Sequence, residues 1–125
     1  MKKHLVIICW AAAPARPEMC ATPFFHAVAA AAMDIDVEVY FTSASVLLLK
    51  RGVAAGLATG PRQAATVYSF MQDAARLGVR FYACSQAMTE HGLGKADLIP
   101  ELTGVAGAAT YVARTLDDDW ANVIY

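Results

Sequence analysis

The sequence predicts an α/β domain in which about five mainly parallel strands form a sheet with helices on both faces. Short apolar runs rich in β-branched residues alternate with stretches of helical spacing along the chain. The apolar centres of these runs are nearly continuous, as in strands that are covered on both faces. The length of 125 residues suits one domain. We therefore expect a single three-layer domain over residues 1–125, with a flavodoxin-like arrangement.

In the first third of the chain, we predict two strands and one helix. The amino end, MKKHLVIICWAAA, superficially resembles a signal peptide, but its apolar part is short and rich in β-branched residues, which favours a first core strand at Lys3–Trp10. Thr22 and Pro23 predict a helix start, since a capping hydroxyl precedes a proline at the first helical position. Val37–Phe41 reads as the second strand, with Glu38 as its one charge.

The rest of the chain continues the alternation of helices and strands. Val46–Arg51 predicts a short helix ended by Gly52, and Val53–Gly60 predicts a loop. The clearest helical pattern is expected to begin at Pro61 and to close at Gly78. The remaining predicted elements are a strand at Val79–Ala83, a short helix ending at Gly92, a weak strand at Thr103–Ala108, a helix at Ala109–Leu116 and a last strand at Ala121–Tyr125.

Composition and charge exclude several classes of function. The net charge of −1 gives no electrostatic case for binding nucleic acid or an anionic membrane. No apolar stretch reaches the roughly 18 residues of a membrane-spanning helix. The three cysteines are irregularly spaced, so they form neither a disulfide framework nor a zinc pattern. No glycine-rich nucleotide motif occurs. We expect a cytoplasmic protein with reduced thiols, no metal and no cofactor.

Cys84 is the strongest candidate for chemistry. It follows the strand Val79–Ala83, and Ser85 resembles the N-cap of the next helix. In open α/β sheets, ligands bind at this carboxyl edge, and a helix N-terminus there stabilises an anion such as a thiolate. Cys84 could then accept a sulfane sulfur as a persulfide, attack a disulfide or be oxidised. Alternatively, it is a small buried hydrophobe.

Other candidate residues lie at the same predicted edge. Cys20, in the loop after the first strand, could act as a relay or resolving thiol, or have no role; Cys9 is expected in the core. Thr42 and Ser43 follow the second strand and could cap a helix or bind an oxyanion such as thiosulfate. His91 lies about 10 Å along the helix from Cys84, too far for direct pairing within one subunit.

Two segments carry a resemblance to a known family. Phe81–Leu102, FYACSQAMTEHGLGKADLIPEL, and Asp36–Thr42, DVEVYFT, resemble the DsrE/DsrF-like sulfur-relay family, and the likeness covers nearly the whole chain. The resemblance implies a small parallel sheet that assembles into trimers or hexamers. It also implies a cysteine, Cys84, that carries sulfur as a persulfide between proteins or takes it from thiosulfate-like compounds. A peroxidase activity is not expected, since the peroxiredoxin Thr-x-x-Cys pattern is missing.

These observations lead to three hypotheses about function. The leading one is a sulfur carrier or sulfurtransferase that uses Cys84, with Ser85, Thr42, Ser43 and Cys20 as possible substrate contacts. The second is a non-catalytic oligomeric module that binds a small anion or ligand. The third is a thiol redox sensor that uses Cys84 and Cys20. The expected partners are further copies of the chain and a sulfur donor or acceptor, either a protein or a thiosulfate-like small molecule.

Overall fold

The architecture is that of a computed structural model, which describes residues 1–62 and 64–125. Its strands are β1 (His4–Cys9), β2 (Asp36–Phe41), β3 (Arg80–Cys84), β4 (Leu102–Ala106) and β5 (Trp120–Ile124). Its α-helices are α1 (Thr22–Ala32), α2 (Val67–Arg76), α3 (Ser85–Glu90) and α4 (Ala108–Thr115). Short 3-10 helices span Pro17–Met19, Ser43–Leu49, Ala54–Gly56 and Lys95–Asp97.

The five strands form one sheet in the order β4-β3-β2-β1-β5, and every neighbouring pair is parallel. The carboxyl ends of all strands therefore meet at one edge. At that edge Phe41 pairs with Ala83, and Cys84 pairs with Ala106. The predicted parallel α/β fold is confirmed, with a sheet that is wholly rather than mainly parallel.

Helices cover both faces of the sheet, as predicted, but the two layers are unequal. The larger core lies under α1 and α2, where Phe24 packs against Phe41 and Phe81 at ring-centroid distances of 6.1 and 5.9 Å. The opposite face has a smaller cluster of Val6, Tyr40 and Trp120, against which Tyr111 of α4 packs. The face that carries α4 is thus the thinner side of the molecule.

The strand order explains this inequality. The chain moves from β1 to β4 in one direction across the sheet, and right-handed crossovers place the connecting helices of such a series on one face. The last connection reverses direction and brings β5 to the far side of β1. A right-handed crossover in that direction places α4 on the opposite face, where it has no neighbouring helix from the earlier series.

Two predicted helix starts are corrected by the structure. Helix α1 begins at Thr22 itself, after Ala21, and the Thr22 side chain makes no capping hydrogen bond to a described residue. Helix α2 begins at Val67 rather than at Pro61, because Thr66 caps it: the Thr66 hydroxyl accepts a hydrogen bond from the Ser69 amide at 3.2 Å. Position 63, inside the predicted helix, lies outside the described residues.

The predicted helix Val46–Arg51 and the loop after it also differ from expectation. The segment is a 3-10 helix at Ser43–Leu49, which begins one residue after the end of β2 and buries Val46, Leu48 and Leu49. The segment ends at Leu49 rather than at Gly52, with Lys50 as its C-cap residue, and Gly52 follows with a φ of +83°, a conformation that favours glycine. The predicted loop Val53–Gly60 contains a short 3-10 helix, Ala54–Gly56, in which Ala54 is buried.

Replacing Thr66 by alanine should destabilise the protein by about 1 kcal/mol, since the first turn of α2 loses its side-chain cap. Urea unfolding followed by circular dichroism measures the change. The matched control is Thr22→Ala, at a helix start without such a hydrogen bond, which should leave the free energy of unfolding nearly unchanged. Equal losses from the two substitutions would contradict this assignment of the α2 cap.

Candidate functional site

Cys84 lies where β3 ends and α3 begins. Its backbone is extended, with φ −69° and ψ 123°, and Cys84 itself is the N-cap residue of α3. The prediction that Ser85 is the N-cap is therefore wrong by one residue, because the helix starts directly after the strand. Ser85 is the first helical residue; it is exposed, and its backbone carbonyl accepts a hydrogen bond from the Thr89 hydroxyl.

The Cys84 side chain is half-buried and borders two pockets of opposite character. The polar pocket, of about 200 Å³, is lined by Thr42, Ser43, Cys84, Gln86, Ala87 and Glu90. The apolar pocket, of about 100 Å³, lies under α4 and is lined by Ile8, Tyr40, Thr42, Cys84, Ala106, Gly107, Ala108, Tyr111 and Val112. Thr42 and Cys84 line both pockets, so they form the boundary between the two.

The parallel register of the sheet brings these residues together. Because Phe41 pairs with Ala83, the next residues along the two chains, Thr42 and Cys84, emerge side by side at the carboxyl edge. Ser43 then turns the chain into the 3-10 helix with a φ of +51°, which is uncommon for a residue other than glycine. Such a conformation costs about 1 kcal/mol or more and is enriched at functional sites.

One wall of the apolar pocket is formed by Tyr40, which is held by a buried carboxylate. The Tyr40 hydroxyl donates a hydrogen bond to Glu38 Oε1 at 2.8 Å, and its ring stacks on Tyr82 with centroids 5.1 Å apart. Burial, together with the Glu38 carboxylate, raises the pKa of Tyr40 above its ordinary value. The phenol therefore stays protonated and directed at Glu38, so it offers the pocket its ring and not its hydroxyl.

Glu38 is the residue whose importance the sequence analysis missed. Its side chain is only 2 % exposed, and it forms ion pairs with Arg80 at 3.1 Å and with Arg114 at 3.0 Å. Arg80 also pairs with Asp36 at 2.9 Å. The available signal was a single charge inside an otherwise apolar strand, because a charge at such a position is rarely buried without a partner.

Cys20 lines neither of the two pockets beside Cys84. The Cys20 thiol is buried and donates to the backbone carbonyls of Ala13 at 3.4 Å and Arg16 at 3.5 Å. Burial, and to a lesser extent the charge of Glu18, raises the pKa of Cys20 to about 11. Burial also raises the pKa of Cys9, which lies in the core as predicted. The structure gives no support to a relay or resolving role for Cys20.

His91 has a structural position at the end of a helix. It is the C-cap residue of α3 and lines neither pocket, in agreement with the predicted separation from Cys84.

Within residues 1–62 and 64–125, no group of three or more His, Cys, Asp and Glu side chains is placed to hold a metal ion. In the same residues, no helix has the length and apolar character that crossing a bilayer requires.

Comparison with known proteins agrees with this geometry. A sequence model of the DsrE/DsrF-like family matches residues 4–123, almost the full length. The chain belongs to the DsrE/DsrF-like family. No curated protein is significantly similar to it in sequence.

Two solved structures have the same fold over the full length of both chains. The ychN protein from E. coli superposes with a TM-score of 0.76 at 16% identity. MTH1491 from Methanobacterium thermoautotrophicum, described as a protein of unknown function, superposes with a TM-score of 0.69 at 18% identity. At these identities the likeness supports the DsrE-like fold and does not transfer a function.

Of the three thiols, we expect only Cys84 to react rapidly with iodoacetamide in the folded protein. Cys9 and Cys20 are buried, and below a pH of about 11 Cys20 remains a neutral thiol, which is a poor nucleophile. Raising the pH from 7 to 9 should therefore leave Cys20 unlabelled, while urea should expose all three thiols. Mass spectrometry of the digested protein assigns each site. Labelling of Cys20 at a rate close to that of Cys84 in the native protein would contradict the arrangement.

Proposed function

We propose that this DsrE/DsrF-like protein is a sulfur carrier in which Cys84 accepts a sulfane sulfur and passes it on. The observation that carries the proposal is the position of this thiol: it is the one cysteine that is partly accessible, and it lies at the carboxyl edge between two pockets. Parallel α/β sheets bind ligands at that edge. The family match supports a role in sulfur relay.

The proposed transfer is balanced without an added oxidant or reductant. The Cys84 thiolate attacks the outer sulfur of a donor persulfide, R–S–SH, forming a new S–S bond. The donor's own S–S bond breaks, and the donor leaves as the thiolate R–S⁻. Cys84 then carries the persulfide Cys84–S–SH, whose outer sulfur can be attacked in turn by the thiolate of an acceptor. Each step is a thiolate attack on a sulfur–sulfur bond.

The charges around Cys84 favour a persulfide donor over thiosulfate. Of the described residues that line the two pockets, none is a cation, and one, Glu90, is an acid. Thiosulfate would carry two negative charges into this setting without an arginine or lysine to pair with. A helix as short as α3, with six residues, provides only a small dipole. We therefore propose that the donor is a persulfide on a protein or on a small thiol.

We further propose that the protein acts as a homo-oligomer, a trimer or hexamer, in the cytoplasm. Two large apolar side chains, Trp10 and Ile124, are exposed beside each other at the carboxyl ends of β1 and β5. Apolar groups that share a surface in this way are typical of contact regions between proteins. The three cysteines are unpaired, which suits a reducing compartment.

Incubation with glutathione persulfide should add the mass of one sulfur atom to Cys84. Intact-mass spectrometry shows the addition, and digestion under conditions that preserve persulfides maps it. Cys84→Ser should abolish the addition, because a hydroxyl at this position is not a comparable nucleophile. Cys20→Ser is the matched control and should load as the wild type does, since Cys20 lines neither pocket.

If the folded wild-type protein gains no sulfur from persulfide donors, the proposal is wrong. The protein would then fit the second hypothesis, a non-catalytic binding module in which Cys84 is a structural residue. Loading of Cys20 in place of Cys84 would equally contradict the assignment, because it would place the chemistry in the interior of the domain.

Replacing Glu90 by glutamine should increase the rate of Cys84 loading from thiosulfate by about two- to fivefold at low salt, as expected for removing one exposed like charge. The gain should shrink at 0.5 M salt, where charges are largely screened. The rate with the neutral reagent iodoacetamide should rise by a smaller factor, because the carboxylate does not repel a neutral reagent. Asp118→Asn, in an exposed turn outside both pockets, provides the control. No change with thiosulfate in Glu90→Gln would exclude this carboxylate from donor selection.

A further inference from the structure

Helix α4 covers the apolar pocket beside Cys84 without being buried itself. Ala108, Tyr111 and Val112 form the wall of the pocket on this side. Yet none of the eight residues of α4, all of which the structure describes, is buried. Its N-cap residue is Gly107, which has no side chain to satisfy the first amides of the helix. Apolar burial, which holds most helices on their sheets, is therefore weak for α4.

Polar contacts made by Tyr111 and Arg114 attach α4 to the sheet. Arg114 Nε donates to Glu38 Oε1 at 3.0 Å, and Arg114 Nη2 donates to Glu38 Oε2 at 3.4 Å. The Arg114 guanidinium also lies 4.7 Å from the centre of the Trp120 ring. The Tyr111 hydroxyl donates to Asn122 Oδ1 at 2.8 Å, but this contact is exposed. The strongest attachment is thus the ion pair between Arg114 and Glu38.

The sheet would keep Glu38 paired if α4 moved away. Arg80 Nη2 still donates to Glu38 Oε2 at 3.1 Å, and the Tyr40 hydroxyl still donates to Oε1 at 2.8 Å. Both residues belong to the sheet, in β3 and β2. Opening of α4 would therefore cost one ion pair and a few contacts without leaving a bare carboxylate in the interior. Elements with few buried apolar contacts are those that open most easily.

We propose that α4 is a latch over the apolar side of Cys84, and that the Arg114–Glu38 pair sets the size of the group that reaches the thiol from that side. With α4 closed, the apolar pocket has a volume of about 100 Å³, half that of the polar pocket. A larger group requires α4 to move. In this arrangement Arg114 and Glu38 are positioning residues, which touch neither the thiol nor the pocket. The proposal concerns access to Cys84 and does not depend on sulfur transfer.

The test compares alkylation of Cys84 by two neutral reagents, the small iodoacetamide and the bulky N-benzylmaleimide. Arg114→Gln should raise the ratio of the bulky to the small rate by about tenfold, which corresponds to about 1.4 kcal/mol in the opening equilibrium. Amide hydrogen exchange should become faster in α4 and stay unchanged in β2 and β3. Using the ratio removes any change in the intrinsic reactivity of the thiol.

Two further variants keep the outcome decisive. Arg76→Gln is the matched control: Arg76 also lies in the last turn of its helix and pairs with an acid, Asp73, but on the exposed surface of α2. Arg114→Lys retains the charge but loses the two-pronged geometry, so it should give a smaller increase in the ratio. An unchanged ratio in both Arg114 variants, or an equal increase in Arg76→Gln, would overturn the latch. If the wild-type protein gains no sulfur from persulfide donors but Arg114→Gln still raises the ratio, only the proposed sulfur chemistry is contradicted.

Discussion

The handedness of the crossovers between parallel strands is the constraint on which the rest of this structure depends. With the strand order β4-β3-β2-β1-β5, right-handed connections leave one face of the sheet to α4 alone. One helix of eight residues cannot exclude water from a whole sheet face. Polar side chains consequently occur in this layer, and a pocket remains open at the strand ends. Cys84 lies at that opening, where it lines the apolar pocket together with Tyr40.

Glu38 is a buried carboxylate in this thin layer of the structure. A carboxylate that is 2 % exposed requires partners, and here Tyr40, Arg80 and Arg114 supply them. Breaking a buried ion pair by removing one partner typically costs about 3–5 kcal/mol, because the other charge is left uncompensated. The hydrogen bonding of this cluster is incomplete, since Nε of Arg80 is buried without a hydrogen-bond partner among the described residues. Removing Arg114 alone would leave Glu38 paired with Arg80 and Tyr40, so it should cost less than the loss of a whole buried ion pair.

Sequence periodicity is sufficient to predict the strands, because a short apolar run with β-branched residues favours a buried strand over a helix or a loop. It also placed Cys84 and Thr42 at the same edge, which needs only the rule that parallel strands end together. Helix starts were harder, because Thr22 and Pro61 carry the right residue types but capping depends on backbone geometry. The apolar pocket under α4 depends on contacts between residues far apart in the sequence, such as Glu38 and Arg114, and no local sequence pattern predicts these contacts.

The two pockets suggest how one thiol can serve an incoming and an outgoing partner. Attack on a sulfur–sulfur bond requires the nucleophile and the leaving sulfur to lie on opposite sides of the sulfur that is transferred. In both steps the sulfur of the partner lies opposite the Cys84 sulfur, so each step needs free space in front of this thiol. Cys84 borders two such spaces, an apolar pocket under α4 and a polar pocket beside α3, with Thr42 between them. The polar pocket gives polar partners an approach to Cys84 that does not involve α4, whereas a bulky apolar group such as a benzyl ring would have to enter the apolar pocket, so the latch would select which groups Cys84 accepts.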